Sequence, residues 1–96
     1  VNLSGISRIK LWTTGNLVEW TAKDGVSKQG FKVVWSKNSA PTYPNRDGDA
    51  YQYHDSPSAT SAKLEGFDGH GTYYVRVCEY FDGVCRMYSN EISIEL

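Results

Sequence analysis

YYVRVCEYFDGVC, Tyr73 to Cys85, combines a period-two alternation, a turn signal and both cysteines of the chain. Side chains of a strand alternate between its two faces, so Tyr73, Val75 and Val77 share one face and Tyr74, Arg76 and Cys78 the other. The first set belongs in a core. The opposite phase, entered at Tyr74, would bury Arg76 and Cys78 and turn the valines to water, a costly exchange.

The same period recurs outward from this stretch. In SRIKLW, Ile9 and Leu11 share a face opposite Arg8, Lys10 and Trp12. After TTGN, where Gly15 and Asn16 suit a hairpin turn, LVEWT directs Val18 and Trp20 inward. FKVVWS aligns Phe31, Val33 and Trp35 as the central core strand, and EISIEL aligns Ile92, Ile94 and Leu96. Residues 37–58 hold all three prolines and read as loop around a short edge strand, AYQYH; ATSAKLEGF reads as a further strand ending near Leu64. With no helical stripe and turns at regular spacing, the expectation is an all-β, seven-stranded antiparallel β-sandwich.

A chain of 96 residues is expected to form a single domain, 1–96. Ten basic against 11 acidic residues leave a net charge of -1, without the basic stripe of a nucleic-acid binder. No apolar run approaches the roughly 20 residues that span a bilayer, and the start lacks the order of a signal peptide. The strand-like ends suggest one module of a larger protein, monomeric as an isolated domain.

Trp20 on the second strand, Trp35 on the third, then LEGFDGHGTYYVRV and YSNEISIEL resemble the fibronectin type III family over nearly the whole chain. The resemblance implies that Tyr73 packs its ring in the core and bonds back to the preceding backbone through its hydroxyl, with Trp20, Trp35, Val75 and Val77 as core neighbours. Two features depart from the family pattern: a long Pro- and Tyr-rich loop before the edge strand, and the two cysteines.

Cys78 and Cys85 flank the last hairpin. Closed zinc sites need four ligands, for which only His54 and His70 are left, and redox dithiols favour C-x-x-C spacing. A local cross-strand disulfide is the preferred reading, with two free structural thiols as the plainer one; a disulfide implies an oxidising, extracellular setting. If Tyr80 to Gly83 makes a type I turn, Cys78 stands opposite Cys85; if Asp82 and Gly83 make a two-residue turn, Tyr80 does. The first arrangement is expected.

Asn45, Asp47 and Asp49 alternate as in the start of a calcium loop, but Ala50 and Ser56 fall where glycine and glutamate are required, which favours a solvated turn. Tyr43, Tyr51 and Tyr53, with Trp12, are candidates for an exposed aromatic ligand surface suited to sugars, against the ordinary reading of edge-strand tyrosines. His54 and His70 lie near no evident nucleophile and read as surface or turn residues, and neither catalytic residues nor a cofactor are expected. The family likeness implies a non-catalytic spacer or protein-interaction module of a secreted or cell-surface protein, with neighbouring domains and extracellular protein or glycan as partners. A carbohydrate-binding accessory module is the alternative.

Overall fold

The computed structural model describes Ile6 and residues 8–14, 17–24, 29–56, 60–64 and 69–96. The turn expected at Gly15 and Asn16 lies outside them. The strands are β1 (Arg8–Thr14), β2 (Leu17–Lys23), β3 (Phe31–Ser36), β4 (Ala50–His54), β5 (Ser61–Lys63), β6 (Thr72–Phe81), β7 (Val84–Tyr88) and β8 (Ile92–Glu95). They form two antiparallel sheets, one ordered β1-β2-β5 and the other β4-β3-β6-β7, with β8 also on β6. No helix occurs among the described residues.

One core joins the sheets. Ile9, Leu11, Val18, Trp20 and Ala62 of the first meet Phe31, Val33, Trp35, Tyr73, Val75, Val77 and Ile94 of the second, all buried. Alternation sets these inward faces, but it is overridden on β3, where all six residues are buried, and on β6, where Val77, Cys78 and Glu79 are buried in succession. Phe31, Val33 and Trp35 face the core; Lys32, Val34 and Ser36 are covered from the other side, by tyrosines and by residues 37–49.

Eight strands are present among the described residues where seven were expected, because the final edge is broken. Ser89 keeps contact with β6 through its own N–H to Val77 O at 2.7 Å, and its hydroxyl accepts from Val77 N at 2.9 Å. Asn90 then turns to the other sheet: Leu11 N donates to Asn90 Oδ1 at 2.8 Å and Asn90 Nδ2 donates to Leu11 O at 2.9 Å. Serving two sheets interrupts the strand between β7 and β8. Leu96 also departs from expectation, being 46% exposed. Its backbone pairs with Gly71, which offers no side chain to pack against.

The hairpin turn is the two-residue one, not the expected YFDG arrangement. Asp82 (φ 48°) and Gly83 (φ 86°) are both left-handed, Phe81 faces Val84, and Tyr80 faces Cys85. Paired positive φ values give a primed turn, whose twist matches that of the flanking strands, and Asp-Gly adopts it readily. Between Tyr80 and Cys78 the register shifts, so that Cys78 pairs with Tyr88. Cys78 and Cys85 are nevertheless disulfide-bonded, with Cα atoms 5.4 Å apart. The bridge runs diagonally across one face rather than straight between opposed residues.

Candidate functional site

The outer face of the larger sheet carries an enclosed ammonium. Lys32 and Tyr53 are direct partners across β3 and β4, and Val34 faces Tyr51, so period two sets both tyrosines on the side of Lys32. On β6, Cys78 lies opposite Lys32, and Tyr80 is two residues further along the same face. Lys32 Nζ lies 3.8 Å from the ring centroids of Tyr43 and Tyr51, 4.9 Å from that of Tyr53 and 4.8 Å from that of Tyr80. Lys32 is only 4% exposed.

Such contacts stabilise a cation through the negative faces of the rings, by ~0.5–2 kcal/mol each depending on solvent access. They replace part of the hydration lost on burial. Desolvation still lowers the Lys32 pKa, opposed by the charge of Tyr51. Among the described residues Nζ has neither a hydrogen-bond acceptor nor a carboxylate partner.

The rings are not coplanar. Tyr43 and Tyr51 meet at 68°, Tyr53 and Tyr80 at 62°, and Tyr43 and Tyr80 at 73°, with centroids 4.9 to 6.2 Å apart. They enclose the ammonium edge against face instead of forming a flat shelf. Tyr51 and Tyr53 are 46% and 42% exposed and form the mouth. Trp12, grouped with them on sequence, lies on β1 of the other sheet, where its Nε1 donates to Glu19 Oε2 at 3.1 Å. The structure brings the three tyrosines together without it.

Tyr43 is delivered by residues 37–49, which cross the outer face as a strap. Pro41 is fully buried, and its carbonyl accepts both from Arg76 Nε, at 3.0 Å, and from Arg76 Nη2. The Arg76 guanidinium in turn lies 3.9 Å from the Tyr88 ring. Tyr43 N donates to the Tyr88 hydroxyl at 3.0 Å, and Cys85 N donates to Tyr43 O at 3.4 Å. The peptide between Tyr43 and Pro44 is cis.

The calcium candidates organise this strap internally. Asp49 accepts from Arg46 Nε at 2.8 Å and from the Thr42 and Arg46 amides, both at 3.2 Å, while Asn45 Nδ2 donates to Thr42 O. Burial alone would raise the Asp49 pKa, but hydrogen bonds led by those from Arg46 and Ser36 take it down to about 2. The Asp49 carboxylate is engaged by the Arg46 guanidinium, and no group of three or more potential ligands gathers among the described residues.

A second polar cluster faces the core. His54, Phe31 and Glu79 form one cross-strand row, and the Trp20 ring lies 5.7 Å from Phe31 and 5.8 Å from His54. Glu79 is fully buried, and among the described residues neither its carboxylate oxygens nor Trp20 Nε1 have a hydrogen-bond partner. His54 is half-buried rather than a surface residue: burial lowers its pKa, Asp55 opposing, and Nε2 lies 2.9 Å from Gln52 Oε1. Gly30 closes this end; its φ is +95°, and a Cβ there would lie 2.0 Å from His54 O.

Sequence reasoning missed Lys32, Tyr80, Arg76 and Glu79. One usable signal was a lysine set between Phe31 and Val33 in an apolar strand, on the face of tyrosines spaced by two. Compared with protein-family models, curated proteins and solved structures, the chain matches none.

Proposed function

We propose that the chain is a non-catalytic module of fibronectin type III type, serving as a spacer or protein-interaction unit in a secreted or cell-surface multidomain protein. The observation that carries this reading is the corner at the start of β6: Tyr73 is 3% exposed and its hydroxyl donates to Gly69 O at 3.0 Å. A tyrosine so placed ties the crossing between sheets to the core of immunoglobulin-like sandwiches. The strand order adds support, since β4 pairs with β3, whereas constant-type immunoglobulin domains keep their fourth strand in the first sheet.

The Cys78–Cys85 bridge supports an oxidising location. The outer face of the larger sheet is taken up by the chain's own strap and lysine, which suits a self-contained unit.

Two measurements on the parent protein test the reading. Surface protease shaving followed by non-reducing peptide mapping should release the Cys78–Cys85 peptide intact from the extracellular fraction; reduced thiols in a cytosolic fraction would reject it. Exchanging the module for an unrelated sandwich of equal length should preserve parent function if it is a spacer. Loss of one binding partner on exchange would identify the interaction role, whereas loss of a chemical turnover localised to this module would overturn the non-catalytic assignment.

A further inference from the structure

An edge strand presents backbone N–H and C=O groups without partners, and folded chains protect such edges with charges, bulges, short strands or covering segments. Most edges of this fold are protected in that way. β1 carries Arg8 and Lys10 and takes the Asn90 clip at Leu11. β5 is three residues long and ends in Lys63. β7 carries Arg86, pairs with β6 through a register shift and donates Cys85 N to Tyr43 O of the strap. β8 is four residues long and ends in Glu95.

β4, AYQYH, has none of these protections. It ends its sheet, its five residues pair with β3 in unbroken register, and none of them is a lysine, an arginine, an acid or a proline. Among the described residues no backbone hydrogen bond reaches its open side. Its two outward rings, Tyr51 and Tyr53, are exposed.

The side-chain order of β4 matches a particular occupant. Tyr51-Gln52-Tyr53 reads the same in both directions. An antiparallel copy related by a two-fold axis at Gln52 therefore sets Tyr51 against Tyr53 of the second copy, Gln52 against Gln52, and Ala50 against His54. Directly opposed residues share a face, so ring meets ring on the outer side, while amide meets amide and methyl meets imidazole on the inner side. Residues 50, 52 and 54 pair among themselves, as do 51 and 53, so whichever set directs its amides outward meets the matching set of the copy. Just beyond the strand Asp55 meets Asp49, whose carboxylate is already neutralised by Arg46 at 2.8 Å, so two bare carboxylates are not opposed. An unrelated extended peptide would satisfy the same amides without matching this order.

We infer that β4 is a homotypic docking edge, at which a second copy of this chain adds its own β4 and the two five-stranded sheets become one. Five paired residues bury less than the roughly 1,200 Å² at which stable interfaces begin. The contact is therefore weak and reversible, and it forms where copies are crowded together.

A concentration series of the isotopically labelled 96-residue chain, from roughly tens of micromolar to millimolar, tests the assignment. Amide resonances of Ala50 to His54 should shift saturably while those of β1, β5 and β7 hold still, and translational diffusion should slow to the value of a dimer. A half-labelled sample should give Overhauser contacts between Tyr51 of one copy and Tyr53 of the other. Gln52 meets itself at the axis, so Gln52→Lys and Gln52→Glu should each weaken association by roughly tenfold or more, and an equimolar mixture of the two should regain it. The β6 resonances of each variant report that its fold is intact.

Absence of concentration-dependent shifts in the wild-type chain overturns the inference, and that measurement needs no variant to fold. Shifts centred on another edge overturn the assignment to β4. Variants that associate as well as wild type, or a mixture no better than either variant alone, overturn the axis at Gln52. Growth beyond the dimer would contradict a closed two-fold contact. The inference does not depend on the module reading, and neither of the two parent-protein measurements bears on it.

Discussion

Asn90 and Leu11, 79 positions apart, are joined by a two-way hydrogen bond in which one side-chain amide serves as both acceptor and donor for one backbone unit. Leu11 lies on β1, an edge strand, and its side chain is in the core. The amide therefore acts as a one-residue substitute for a neighbouring strand. It ties the two sheets along the side where β1 and β7 would otherwise stand apart, and a cleft bounded by Arg8, Ile9, Met87 and Tyr88 opens beside it.

Asn90→Ala removes both bonds and leaves two backbone groups short of partners, so it should destabilise the fold by about 2–3 kcal/mol. Asn90→Asp keeps the acceptor for Leu11 N but turns an anion towards Leu11 O, and should be no better than alanine. Denaturant melts of the three proteins check the order. A variant within about 0.5 kcal/mol of wild type, the smallest cost of a lost bond, would show that solvent replaces the clip.

Tyr73→Phe isolates the corner bond to Gly69 O, because the ring and its packing remain. The expected loss is about 1 kcal/mol, with no change in the core signature by near-UV circular dichroism. A larger loss, together with altered ring packing, would mean that the hydroxyl positions the ring as well as tying the turn.

How far the sequence carried the fold is clear from β6. Tyr73, Val75 and Val77 announced their face because apolar burial imposes a period of two, and all three are buried. The same rule could not announce Lys32, since its burial depends on where residues 37–49 are laid, and a long loop has no period to read. The hairpin register failed for a related reason. Asp-Gly is compatible with two turn types, and the choice depends on strand twist, which belongs to the assembled sheet. Asn90 was visible only within YSNEISIEL, the stretch that opens the final strand; its partner is distant in the chain, and no local pattern encodes that distance.

The disulfide should contribute modestly. Closing an eight-residue loop is worth about 2.5 kcal/mol on the chain-entropy model. The double variant Cys78→Ala, Cys85→Ala should fold, because the primed turn at Asp82 and Gly83 and the bond from Tyr80 N to Gly30 O remain. Tyr43 would lose part of its anchorage at Cys85, so hydrogen exchange should quicken at Tyr43 and Cys85 before it does in β3. Global unfolding of the double variant at room temperature would contradict this.

In acid, Asp49 should dominate the strap. Its folded pKa of about 2 lies below the ordinary 3.8 of an aspartate, so its contribution is complete above 3.8 and is lost as pH falls towards 2. Allowing for solvent screening at the exposed Arg46, it is worth roughly 1–2 kcal/mol. Asp49→Asn should flatten that limb of the stability profile. Calcium at millimolar level should leave the wild-type melting curve unchanged, since the carboxylate is already engaged by Arg46.

At alkaline pH the lysine of the cage adds a second rising limb. Burial lowers the Lys32 pKa from 10.5, so between the lowered value and 10.5 the unfolded chain holds a proton that the folded chain has released. Stability therefore rises with pH across that window. Tyr53 opposes it: burial, with Asp55 and Tyr80 adding, raises its pKa above 10.0, so its contribution is present below 10.0 and is lost as pH climbs through the raised value. Lys32→Met separates the two, because it keeps the stem within the rings and removes the proton. Its stability at neutral pH should lie within about 1 kcal/mol of wild type, because losing the cation–π contacts is offset by losing the desolvation cost. As the pH climbs towards 10.5, the variant should lack the rising limb and keep only the fall due to tyrosine. Chemical denaturation of both proteins across that range measures the difference, and parallel profiles would show that Lys32 does not titrate in the folded state over the range measured.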